Sequence, residues 1–174
     1  MYSVLLIRLL ATDLQPSNMV PQEKLKIEEV IQREGRYIGP TAGVSMLPML
    51  KERRDTIVVS PKTEKLKPLD VALYHRGEAY VLHRVLRQTE TGYIIRGDNC
   101  YADEIVPEDD VFGVLTEFFR KDKHIHCTDE KYLRYVKRRL KTYPIRRFFV
   151  RIKAKIRNLA KRILSIFGYK RKRK

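Results

Sequence analysis

Between Arg36 and Arg120 the chain is cut into short apolar and β-branched runs, which leave no room for a long helix. The runs cover residues 36–38, 56–59, 71–74, 80–86, 92–96 and 111–119. Turn signals separate them: Gly39-Pro40, Lys67-Pro68-Leu69-Asp70, Arg76-Gly77-Glu78 and Gly97-Asp98-Asn99. Short runs broken this regularly by Gly, Pro, Asn and Asp specify a compact β-rich core. No internal repeat is visible.

Helical periodicity is confined to the two ends. Residues 21–34 read as a short helix, with Pro21 in its first turn, Leu25, Ile27, Val30 and Ile31 on a loosely apolar face, and Gly35 as its stop. After Thr128, Tyr132, Val136 and Leu140 fall on one face of a second helix, and Pro144 opens a third. That third helix carries Ile145, Phe148, Phe149, Ile152, Ile156, Leu159, Ile163 and Phe167 at spacings of three or four, with Lys and Arg filling the other positions. The predicted fold is mainly β, of the α+β class. An N-terminal segment with a short helix spans 1–35, a β-rich domain 36–127, and a basic amphipathic helical tail 128–174.

Charge follows the same division. The formal net charge is +16, yet from Lys131 to Lys174 there are 19 Lys+Arg and no Asp or Glu, leaving 18 basic against 21 acidic residues in the rest. A near-neutral body with a basic tail needs an anionic partner only for the tail. Cys100 and Cys127 make neither a disulfide framework nor a CxxC pair, and read as reduced thiols of a cytosolic protein. The run Val4 to Leu10 is interrupted by Arg8 and falls short of the ~18 to 20 apolar residues of a membrane span; it also lacks a secretory cleavage pattern. Met19 is an alternative start. The expected location is cytoplasmic.

One segment points to chemistry. Thr41 to Leu50 is short and apolar and holds Ser45 between Gly43 and Pro48. Gly43 permits a close turn before the hydroxyl and Pro48 fixes the chain after it, giving a rigid perch whose backbone N–H groups can meet an oxyanion. A serine hydroxyl needs a base. His83, in the otherwise aliphatic run Val81 to Val85, is the candidate. An imidazole titrates near ~6.5, so a His83 that must be neutral predicts a loss of rate below about pH 6. The loop from Gly97 to Glu104 offers Asp98, Asp103 and Glu104 as the carboxylate that orients it.

Ser45-Met46-Leu47-Pro48, then Leu69-Asp70-Val71-Ala72-Leu73-Tyr74, then His83-Arg84-Val85, then Gly97-Asp98-Asn99 with Asp103 resembles the ordered motif set of the type I signal peptidases. It is also similar to the wider superfamily that includes the LexA-like self-cleaving repressors. The match runs from about Gly39 to Leu115. His at position 83, where typical bacterial members carry Lys, resembles the subgroup that works with Ser, His and Asp. The resemblance implies a coiled β-rich peptidase core, Ser45 as nucleophile, His83 as general base, Asp103 as orienter, and Gly43 and Asp98 supporting the oxyanion site and its loop. The gap from Asp98 to Asp103 is shorter than in that subgroup, which leaves Glu104 open for the same role. No metal or organic cofactor is implied. The chain departs from the family in having no transmembrane helix before the Ser motif. A cytosolic peptidase acting on a peptide or protein precursor fits that departure, with small residues implied before the cut.

Two other readings remain open. In one, the fold is an inactive peptidase used as a binding module. In the other it is a self-cleaving regulator; the one Ala-Gly pair, Ala42-Gly43, lies beside the nucleophile itself, and no DNA-binding helix-turn-helix precedes it. For the tail, the stripe from Arg146 to Lys174 is read as lying in an anionic membrane surface, at the inner face, or docking on the body. Nucleic acid ranks last, because the aromatics sit inside the stripe and not among the basic residues. His124 and His126 with Cys127 lack a fourth ligand at zinc spacing and read as alternating on a surface strand, and His75 as a turn residue.

Overall fold

The computed structural model describes residues 26–166, with the backbone alone for residues 164–166. The first turn expected from Pro21, the run Val4 to Leu10, Met19, Phe167 and the basic cluster from Lys170 to Lys174 lie outside the described residues. The chain is of the α+β class, a curled antiparallel sheet forming a half-barrel with three helices among the described residues. The elements in chain order are α1 (Ile27–Glu34), β1 (Tyr37–Pro40), β2 (Asp55–Pro61), β3 (Val71–Arg76), β4 (Ala79–Gln88), β5 (Gly92–Arg96), β6 (Glu104–Pro107), β7 (Val111–Arg120), β8 (Lys123–His126), α2 (Glu130–Lys141) and α3 (Tyr143–Ile166).

The strands lie in the order β1-β2-β7-β3-β4-β5-β6, with β8 added beside β7. Every run of β-type residues in the sequence falls on one of these strands. β6 has no counterpart among them, because four residues ending in Pro107 give too little alternation to register. His75 is a strand residue of β3 and not a turn residue: β3 continues through it to Arg76 before the turn at Gly77. The ten-residue β7 carries the sheet. One edge pairs with β2 along Gly113–Arg120, and the other is shared between β3 near Val111–Val114 and β8 along Glu117–Arg120.

Alternation along the strands sends side chains to two cores. Val71 and Leu73 of β3, Ile57 and Val59 of β2, and Leu115 of β7 face one side, where they meet Ile31 of α1, Met46, Met49 and Leu50 of the Ser45 loop, and Tyr132 and Val136 of α2. Ala72, Tyr74, Val85, Tyr93, Ile95 and Val106 face the other. Phe118, 1% exposed, contributes about 1.5–3 kcal/mol by leaving water. Helix α2 therefore belongs to the body: its apolar face closes the first core, so the break between body and tail falls at α3, later than the expected boundary at residue 128.

Beside the first core lies an ion pair whose side chains are almost wholly buried. Arg84 of β4, 0% exposed, donates from Nε and Nη2 to the two carboxylate oxygens of Asp98, each at 2.8 Å. Its Nη1 donates to the Leu69 carbonyl at 2.7 Å and to Tyr132 Oη at 3.2 Å, and Nη2 also meets Met49 Sδ at 2.9 Å. Burial alone would lower the guanidinium pKa; the hydrogen bonds and charge of Asp98 overcome that and raise it. Removing one partner leaves a buried charge uncompensated, which costs about 3–5 kcal/mol. Asp98→Asn should lower the stability by that amount, read as a fall in the urea midpoint at unchanged m-value. A loss within experimental error would show that the pair does not hold the fold.

Candidate active site

Ser45 and His83 line the same open cavity of about 240 Å³, with Ala42, Arg76, Cys100 and Glu104 among its other walls. Each arrives there for a local reason. Gly43 adopts φ of 77°, a left-handed conformation that a side chain would strain, and its N–H donates to Glu52 Oε2 at 3.3 Å. The following turn, Ser45 to Met49, is anchored by the buried Met46 and Met49, so Ser45 is left half-buried at the rim. The turn is stitched to the Gly97-Asp98-Asn99 loop. Asn99 N–H donates to the Ser45 carbonyl at 2.7 Å, and Asn99 Nδ2 donates to the Val44 carbonyl at 3.1 Å.

His83 sits on β4 opposite Ala72, facing the second core, and is 2% exposed. A Cβ at Gly97 would lie 2.8 Å from the Ser45 carbonyl oxygen, 2.9 Å from His83 Nε2 and 2.8 Å from Cys100 Sγ. Gly97 is thus required for close approach. The Ser45 carbonyl oxygen and His83 Nε2 both lie within 2.9 Å of that point, and a methyl group there would force the serine turn or the imidazole to shift.

The other ring nitrogen is held by a network. Nδ1 lies 3.2 Å from Glu104 Oε1 and 3.1 Å from Tyr74 Oη. Tyr74 Oη donates to Glu104 Oε2 at 3.0 Å, and Arg76 Nη2 donates to Tyr74 Oη at 2.9 Å and to Glu104 Oε1 at 2.6 Å. Tyr74 has one proton, and it goes to Glu104; burial pushes its pKa up and keeps that proton in place. Toward Nδ1 the phenol can then only accept. Arg76 Nη2 also lies 3.4 Å from Nδ1 and can only donate, but the two shorter contacts, with Glu104 and Tyr74, favour the tautomer with hydrogen on Nδ1, leaving the lone pair on Nε2.

Of the carboxylates offered by the sequence, Glu104 meets the imidazole and Asp103 does not. Asp103 is ion-paired with Arg96 at 2.8 Å, its side chain half exposed. The reason is strand parity. Glu104 begins β6 opposite Ile95, whose side chain lies in the second core, so Glu104 points to the face that carries His83. Asp98 is buried on Arg84, below the loop that it shapes. Tyr74 and Arg76 were not anticipated. They stand two apart on β3, on the face shared with His83, a signal that acquires meaning only with the β3–β4 register. Burial pushes the Cys100 thiol pKa up, so it lines the cavity as a neutral group and not as a competing thiolate.

Burial lowers the His83 pKa, the Glu104 charge raises it, Arg76 lowers it, and the result lies below the ordinary value of 6.5. His83 is thus neutral at pH 7. An NMR titration should place its midpoint below 6.5, and Glu104→Gln, by removing the carboxylate that favours the imidazolium, should lower it further. A rise in the variant would mean that Glu104 is not the charge the ring faces. No protein-family model matches the chain, and neither does any curated protein or solved structure.

Proposed function

We propose that the chain is a serine endopeptidase that cleaves a peptide or protein precursor, with Ser45 as nucleophile, His83 as general base and Glu104 in the orienting role. The observation that carries the proposal is the shared cavity, in which a buried neutral imidazole, fixed through Nδ1 by Glu104, turns its free nitrogen toward the loop of Ser45. The motif order resembling type I signal peptidases supports the same roles. Asp103, implied by that resemblance as orienter, is replaced by its neighbour.

In the proposed reaction His83 Nε2 takes the Ser45 Oγ proton as Oγ bonds to the substrate carbonyl carbon, and the carbonyl electron pair moves onto oxygen. The Ser45 N–H is the backbone donor assigned to that oxyanion in this reading. Glu104 stabilises the imidazolium. Collapse breaks the C–N bond, and the amine leaves with the proton from Nε2. Water then gives a proton to Nε2 and attacks the acyl carbon, and the ester bond breaks with the proton returning to Oγ. Among the described residues β5 pairs with β4 only along Arg84 to Gln88, so the end of β4 at Tyr80–Leu82 borders the cavity as an edge that an extended peptide can join.

The test is mass spectrometry of a diverse peptide pool incubated with wild type, Ser45→Ala, Glu104→Gln and Asp103→Asn. Products should vanish with Ser45→Ala, fall by about 10²–10⁴ in kcat/KM with Glu104→Gln, and stay within a few-fold with Asp103→Asn. The acid limb of the rate should share the midpoint of the His83 titration. Identical product sets from wild type and Ser45→Ala would remove the enzyme reading and leave a binding module. Fragments of the chain itself, made without added peptide, would favour the self-cleaving regulator.

We further propose that α3 lies in an anionic membrane surface and keeps the enzyme at the cytoplasmic face as a peripheral protein. No helix among the described residues is long and apolar enough to cross a membrane. Helix α3 spans 24 residues without a single Asp or Glu. Ile145, Phe148, Phe149, Ile156 and Leu159 on it are each more than half exposed, so the stripe is not docked on the body. An exposed apolar stripe flanked by Arg and Lys matches the acyl boundary and headgroups of such a surface. Sedimentation with vesicles rich in phosphatidylserine should carry the protein down. Binding should fall at least tenfold for Phe148→Ser/Phe149→Ser, and on changing to phosphatidylcholine alone. Equal sedimentation of the variant would refute insertion of the stripe.

A further inference from the structure

The β7–β8 hairpin brings Glu117 of β7 to the two histidines of β8. Its register sets Glu117 opposite His126 and Phe119 opposite His124. With side chains alternating along both strands, all four project from one face. His124 lies flat on the Phe119 ring, centroids 4.3 Å apart and planes within 10°, and the two imidazoles are 4.3 Å apart. His124 Nε2 is 2.6 Å from Glu117 Oε2, and His126 Nδ1 is 4.0 Å from Glu117 Oε1. One ligand atom from each of Glu117, His124 and His126 lies within 4.8 Å of the others.

We propose that Glu117, His124 and His126 form a zinc site, with two imidazole nitrogens and one carboxylate oxygen as ligands and water completing the shell. Zn–N and Zn–O bonds of about 2.0–2.2 Å put tetrahedral ligand atoms about 3.4 Å apart. Small rotations of the exposed histidines and the carboxylate reach that spacing from the present one, with the backbone fixed by the hairpin. Two imidazoles favour zinc over magnesium or calcium, which take oxygen ligands. Cys127, the neighbour that the sequence places with the histidines, is not the third ligand. It packs against the first core, away from the face that carries Glu117, His124 and His126. The ligand set shares no residue with the Ser45 cavity, so the site stands whether or not the chain is a peptidase. Its place in the fold is the root of α2: His126 N–H donates to Asp129 Oδ2 at 3.0 Å, immediately before that helix begins. Zinc there would clip β8 to β7 and fix where α2 starts.

The test is calorimetric titration of the tag-free full chain with zinc chloride, beside magnesium chloride. The variants are His124→Gln/His126→Gln, Glu117→Gln and Cys127→Ser, each checked for folding by circular dichroism. One zinc per chain is expected, with affinity at least tenfold weaker in the double variant and in Glu117→Gln, and unchanged in Cys127→Ser. Cobalt(II) bound to the wild type should show d–d bands without thiolate charge transfer, a result that does not depend on any variant folding. A thiolate band, the absence of saturable zinc binding, or equal affinity in wild type and folded ligand variants would overturn the site.

Discussion

The ion pair of Arg84 and Asp98 stands where the molecule's separate pieces meet. Through it β4 is tied to the Gly97–Asn99 loop, through Leu69 to the turn before β3, through Met49 to the serine turn, and through Tyr132 to α2. Burying two charges is expensive, and the expense is offset here because the guanidinium finds acceptors on several sides and both carboxylate oxygens are used. Hydrophobic contacts alone would bring these segments together without fixing how far the serine turn sits from the imidazole. The directional bonds of Arg84 set that distance, and the Asn99 and Gly97 contacts transmit it to Ser45.

Much of this was legible in the chain. The β-type runs map onto strands because Val, Ile, Tyr and Phe dominate them and turn residues bound them. Ser45 and His83 stood out as a hydroxyl on a Gly/Pro perch and a polar ring in an apolar run. The orienting carboxylate was not legible. Asp103 and Glu104 are adjacent, and only the pairing of Ile95 with Glu104 decides which of them turns inward. Tyr74, Arg76 and Glu117 were hidden for the same reason: their meaning lies in the strand opposite, and registers across a sheet cannot be read from spacing along one chain. The periodicity of α2 was visible, but its partner, the core under the serine turn, was not.

The tail is fastened at its root. Tyr143 Oη donates to the Tyr101 carbonyl at 3.1 Å, and the Arg96 guanidinium stacks 3.4 Å over the Tyr143 ring. Arg139 and Arg146 both donate to the carbonyl of Asp98, at 3.2 and 3.3 Å. The end of α2 and the first turn of α3 therefore grip the loop that supports Ser45 and His83, while the rest of α3 leaves its apolar stripe uncovered. Whatever α3 rests on is mechanically continuous with that loop.

His83 and Arg84 are consecutive, yet one serves the cavity face and the other the buried pair on the opposite face. That arrangement uses both phases of a single strand. Inserting or deleting one residue between the turn at Gly77 and His83 would exchange the imidazole and the guanidinium across the sheet, losing base and anchor together. Deleting a residue from the far half of α3 would only rotate its stripe. The length of β4 before His83 is thus the least negotiable dimension of the chain, and length polymorphism should be sought in the tail.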